Sequence, residues 1–90
     1  MAIIITYDIP SKHREFKEKM IELGYKQVFK DQKGLDVHLP NTTLLHQIKT
    51  ATEAKDDAKR ICLILSISLE RCISSQFGPD WAAIYGAPLK

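Results

Sequence analysis

Apolar and polar positions alternate from the start of the chain. Residues 2–8 read as a strand, with Ile3, Ile5 and Tyr7 on one side and Ile4, Thr6 and Asp8 on the other. Both sides are largely apolar, which predicts a central strand covered on both faces. Pro10 stops it, and Ser11 is well placed to cap a helix. His13, Phe16, Met20 and Leu23 then recur at spacings of three and four, the buried stripe of a helix that Gly24 ends. Alternation returns over Tyr25 to Lys30, a second strand. Asp31-Gln32-Lys33-Gly34 is turn chemistry, and Leu35 to Leu39 is a strand extension or an ordered loop. Pro40-Asn41 breaks the chain before a third strand, Thr42 to Ile48, rich in β-branched residues at its start.

The second half repeats the helix-then-strand order. Thr50 and Glu53 have the spacing of a capping box. The helix behind them runs to about Leu65, with Ala51, Ala54, Ala58, Ile61 and Leu65 facing inward. The small alanines let its first half lie close to a sheet. Ile67 to Ser75 alternates again and gives a fourth strand. Gly78-Pro79-Asp80 is a turn. The tail, 78–90, is strongly apolar around Trp81 and Tyr85, and is expected to dock on the open sheet face or on a partner subunit.

The order β-α-β-β-α-β, with short connections and right-handed crossovers, predicts an α+β fold of the ferredoxin-like kind. It would be an antiparallel four-stranded sheet with strands one and three central, two helices on one face, and an apolar C-terminal tail. Ninety residues make one domain, 1–90.

Composition adds bounds rather than direction. The net charge of +2 permits a polyanionic partner without demanding one. No apolar run approaches the roughly 20 residues of a membrane span, so no membrane association is expected. The opening apolar run is too short for a signal peptide. A cytoplasmic location follows as the expectation, with Cys62 and Cys72 as buried thiols in a reducing compartment.

Three groups of residues offer chemistry. Asp8 ends the first strand and precedes a helix. It is a candidate ligand for Mg²⁺, which takes one or two carboxylates with waters and substrate phosphates. It is equally placed to accept hydrogen bonds from the first amides of that helix, where the dipole favours negative charge. Lys12, Arg14, Lys17 and Lys19 give the first helix a basic surface able to contact phosphates, or simply a solvated face balanced by Glu15, Glu18 and Glu22. Arg71 shares parity with Ile67, Leu69 and Ile73, so it needs a carboxylate, a phosphate or solvent. His13, His38 and His46 lack metal-ligand spacing, and His13 is expected in the core. No nucleophile elbow and no glycine-rich phosphate loop is present.

Ile4-Ile5-Thr6-Tyr7-Asp8-Ile9-Pro10, with Arg14 in the next helix and Gly24-Tyr25 at its end, resembles the amino-terminal motif of the small CRISPR-associated adaptation protein. It is more distantly similar to VapD-type toxin ribonucleases. The likeness covers roughly the first 25 residues and the strand order. It implies a ferredoxin-like homodimer and makes Asp8 the candidate catalytic and metal-binding residue of a phosphodiesterase. It also implies that such a dimer can serve as a scaffold on duplex DNA, with catalysis dispensable.

Three functions are consistent with these residues. The first is a homodimeric, metal-dependent endonuclease or endoribonuclease on RNA or DNA, with Asp8 from each subunit on Mg²⁺ and Lys12, Arg14, Lys17 and Arg71 on phosphates. The second is a non-catalytic binding or scaffold dimer. The third is a protein-interaction module whose tail completes a partner's sheet.

Overall fold

In a computed structural model, residues 2–85 are described. The chain forms β1 (Ile3–Asp8), α1 (His13–Glu22), β2 (Val28–Lys30), β3 (Asp36–His38), β4 (Thr43–His46), α2 (Ala51–Leu65) and β5 (Arg71–Gln76). This is an α+β arrangement of two helices and antiparallel strands. β1 lies in the middle of a three-stranded sheet, between β4 and β5.

β2 and β3 make a separate two-stranded ribbon. The expected single four-stranded sheet is therefore divided. One bridge joins the parts: Lys26 and Leu45 exchange both backbone hydrogen bonds at 2.8 Å. The pairing stops there: by its register Val28 would face Thr43, but Val28 pairs with His38 of β3, and Thr42 turns left-handed at a φ of 62° just before β4 begins.

The core lies on one side of the sheet. Ile3, Ile5 and Tyr7 of β1 meet Phe16 and Met20 of α1 and Ala54, Ala58, Ile61 and Cys62 of α2. The Tyr7 and Phe16 rings are 4.5 Å apart. Both helices thus cover one face, as the pattern predicts. The other face of β1 is not covered from end to end: Ile4 is half-buried, and Thr6 and Asp8 are exposed. The apolar content of β1 therefore overstated its burial.

α2 begins as its sequence dictates. Thr50 Oγ1 accepts from the Glu53 amide at 3.1 Å, and Glu53 Oε1 accepts from the Thr50 amide at 2.9 Å. The start of α1 differs from expectation. Ser11 does not cap it; Lys12 does, at a left-handed φ of 57° and with no side-chain cap. Its ammonium instead donates to the Leu65 carbonyl at 2.9 Å. That carbonyl closes α2, where the helix dipole favours a cation. His13 and Leu23 are exposed, so the stripe of α1 reduces to Phe16 and Met20.

β5 starts at Arg71, later than expected. Ser66 turns left-handed at the end of α2, and Ile67 and Leu69 pack half-buried against the core before the strand begins. The tail docks within its own chain, on the ribbon. Phe77 and Trp81 each lie 5.3 Å from the Phe29 ring, and the Tyr85 hydroxyl donates to Asp31 at 2.8 Å. Gly86 and Pro88, part of the predicted tail, lie outside the described residues. Among the described residues no helix is long and apolar enough to cross a membrane.

Candidate nucleic-acid interface

The alternation of β1 sends Asp8 to the uncovered face, and the register with β5 sets Arg71 directly opposite. Arg71 Nε donates to Asp8 Oδ2 at 2.6 Å. The pair is open to water, with the side chains 75% and 50% exposed. Asp8's bond and charge push the guanidinium further above its ordinary range. Arg71 has thus found its carboxylate, and Asp8 is not engaged with the amides of α1. Because Nε makes the bond, the two terminal nitrogens of Arg71 remain available. Thr6, Tyr7, Cys72 and Ile73 complete a shallow cleft around the pair.

Asp8 by itself is a poor fit for Mg²⁺. One of its oxygens is taken, and a divalent cation beside it would meet the positive charge of Arg71. Among the described residues, no group of three or more His, Cys, Asp or Glu side chains is arranged to hold a metal ion.

The basic residues of α1 are held in different ways. Lys12 is tied to α2. Arg14 pairs loosely with Glu18 at 3.6 Å, and Lys17 donates to Asn41 Oδ1 at 3.1 Å. Arg14 is 85% exposed at the start of the helix. Among the described residues, no hydrogen bond or ion pair links Arg14 or Lys17 to Arg71. Of the histidines, His38 is half-buried in β3 and His46 is buried in β4. Cys62 and Cys72 are free thiols, and burial pushes both upward, away from the reactive thiolate.

A charged group buried behind the sheet does not emerge from spacing or motif. Asp57 of α2 accepts from the Tyr25 hydroxyl at 2.8 Å, from Arg60 at 2.7 Å, and from Lys49. Burial pushes the Asp57 carboxyl up, but the Lys49 and Tyr25 hydrogen bonds and the nearby positive charges outweigh it and hold it below its ordinary value. Burial and the bond to Asp57 push the Tyr25 phenol well up. Next to them, His46 Nδ1 accepts from the amides of Ile48 and Lys49 at 3.2 Å. Its Nε2 lies 3.0 Å from the Leu23 carbonyl, which assigns the proton to Nε2. This group fastens the end of α1, the end of β4 and α2 together. One signal was available: Asp57 falls on the same stripe as Ala54, Ala58 and Ile61.

A cleft lies where the ribbon meets the sheet, with a volume of about 630 Å³. Phe29, Phe77 and Trp81 form one of its walls. The Phe77 and Trp81 rings stack at 5.5 Å with 29° between their planes. Phe77 and Trp81 are near neighbours in sequence, but Phe29 comes from a distant part of the chain, so no local pattern announces the wall.

A scan against protein-family models finds no match to this chain, and a search among curated proteins finds none either.

Proposed function

We propose that this chain is a homodimeric, nucleic-acid-binding protein of ferredoxin-like topology that holds a phosphodiester backbone without cutting it. The observation that carries the reading is the Asp8–Arg71 pair on the uncovered sheet face. The carboxylate fixes the guanidinium by Nε, and two N–H-bearing groups are left for a phosphate, the geometry at which Arg excels. Asp8 is then a positioning residue rather than a metal ligand. Arg14, Lys12 and Lys17 add positive charge along α1, which strengthens backbone binding without reading sequence.

The topology reads as ferredoxin-like when the Lys26–Leu45 bridge is counted as the link from β4 to a fourth strand. The resemblance of residues 1–25 to CRISPR-associated adaptation and VapD-type proteins supports the same assignment. A homodimer is favoured by the apolar surface left in water, including Ile73 at 71% exposure beside the Asp8–Arg71 cleft. Two free thiols suit a reducing compartment, so the protein is assigned to the cytoplasm.

A metal-dependent endonuclease is the competing reading. The half-exposure of Asp8 favours it, since the carboxylate is accessible at the end of the central strand. The test is incubation with labelled RNA and DNA, in Mg²⁺ and in EDTA, beside Asp8→Asn. Salt-sensitive binding without cleavage is expected. Cleavage that needs Mg²⁺ and disappears in Asp8→Asn would overturn the binding reading in favour of the nuclease. Sedimentation at micromolar concentration should give a dimer; a monomer would remove that part of the proposal.

A further inference from the structure

The uncovered sheet face continues from the Asp8–Arg71 pair to the aromatic cleft. Asp8, Thr6 and Ile4 share it by alternation along β1. Register then adds the exposed Ile73 and Ser75 from β5; Thr43 and Leu45 of β4 share the face but are buried, so it lies open along β1 and β5. Leu45 lines the cleft, as does Ala2, which precedes β1. The distance from Asp8 to Ala2 along an extended strand is about 20 Å. A cationic clamp and an aromatic wall therefore stand at opposite ends of one face.

The wall has the properties of a stacking platform. Phe29, Phe77 and Trp81 are half-buried, so each is fixed by its neighbours while part of its ring still faces the cleft. Fixed aromatic rings accept any flat base, at a contribution of about 1–3 kcal/mol per base. Lys26 is exposed at the rim and makes no ion pair among the described residues. Gln32 and Gln47 also line the cleft, and their amides can both donate to and accept from base edges. Two carboxylates are present as well, and both are engaged. Lys30 holds Asp36 at 2.7 Å, and Asp31 accepts from the Leu35 and Lys33 amides and from Tyr85. Lys26 and Lys30 balance Asp31 and Asp36 in formal charge, so the cleft carries no net charge and Lys26 is its one unpaired cation among the described residues. A duplex keeps its bases stacked inside and presents none to such a wall, whereas a single strand can splay them out.

We infer that the uncovered face binds single-stranded nucleic acid, with a base stacked on the Phe29–Phe77–Trp81 wall and the backbone running toward Arg71. The inference rests on the nucleic-acid reading proposed above and narrows its ligand from any phosphodiester backbone to a single strand.

Trp81 is the only tryptophan in the chain, so its fluorescence reports on the wall alone. The full-length protein is titrated with single-stranded oligonucleotides, RNA and DNA, and with the matched duplexes. Single strands should quench Trp81 emission at saturation, and duplexes should leave it unchanged. Trp81→Ala should weaken single-strand binding roughly tenfold, measured by anisotropy of a labelled strand. Trp81→Phe, which keeps a flat ring, should restore most of it. Lys26→Ala, which leaves the wall intact, should weaken binding severalfold while quenching persists. Equal binding of single strands and duplexes with unmoved Trp81 emission would overturn this inference and leave the broader reading standing. Binding of neither would remove both.

Discussion

Replacing Asp57 with Asn removes a buried charge while keeping the shape of the side chain. The remaining amide oxygen still accepts from Tyr25, so that bond survives. Lys49 and Arg60 lose their countercharge. Arg60 is 60% exposed, and its pair contributes at most about 0.5 kcal/mol. Lys49 is only 25% exposed, and its charge-assisted bond contributes about 2 kcal/mol. The new amide N–H groups face donors rather than acceptors, which adds about 1 kcal/mol. The sum is about 3 kcal/mol, at the lower edge of the cost of breaking a buried pair. A chain of this size has roughly 5–13 kcal/mol of stability in total, so the effect is large. Urea unfolding followed by circular dichroism at pH 7 measures it directly, with an unchanged m-value. A loss below about 1 kcal/mol would mean that Lys49 does not depend on the Asp57 charge. The pH dependence gives a second check. The folded Asp57 carboxyl sits below its ordinary value of 3.8, so the native state binds fewer protons than the unfolded chain there. Its contribution is present above that ordinary value and is lost as pH falls through the depressed one. The gap between wild type and Asp57→Asn should therefore close below about pH 4. A gap that stays constant to pH 2 would refute the assignment.

Gly24 has a φ of +97°, and an added Cβ would lie 2.9 Å from His46 Nε2. Gly24→Ala should cost about 2 kcal/mol by the same unfolding assay, through backbone strain and a displaced imidazole. Thr50→Ala removes the cap of α2 and should cost about 1 kcal/mol, with a matching loss of helical signal at elevated temperature. Asp31 is held below its ordinary value first by the Leu35 amide and then by the Tyr85 hydroxyl. Tyr85→Phe should raise the Asp31 titration seen by carboxyl NMR only part of the way, because the Leu35 bond stays.

Local rules carried the elements further than they carried their assembly. The Thr50–Glu53 box and the alanine stripe of α2 were readable because both depend on spacing within one helix. The alternation of β1 gave its two faces, yet not which one lay open, because Ile4 and Ile3 look alike until the helices choose a side. His13 sat on the apolar stripe of α1 and still points to water: helix spacing aligned it, but the left-handed Lys12 sets where the helix begins. The division of the sheet beyond Lys26 depends on which strand Val28 to Lys30 pairs with, a tertiary fact. Asp8 and Arg71 were both legible as candidates. Their union was not, since it required the β1–β5 register across 63 residues. The aromatic wall draws on residues 29, 77 and 81, and only folding brings those together.

Arg71, held by Asp8, is proposed to grip a backbone phosphate. The most direct test is the slope of log Kd against log salt concentration for a single-stranded oligonucleotide, wild type beside Arg71→Ala. Losing one phosphate contact should reduce the magnitude of the slope by about 0.7 and weaken binding. An unchanged slope and affinity in Arg71→Ala would contradict it.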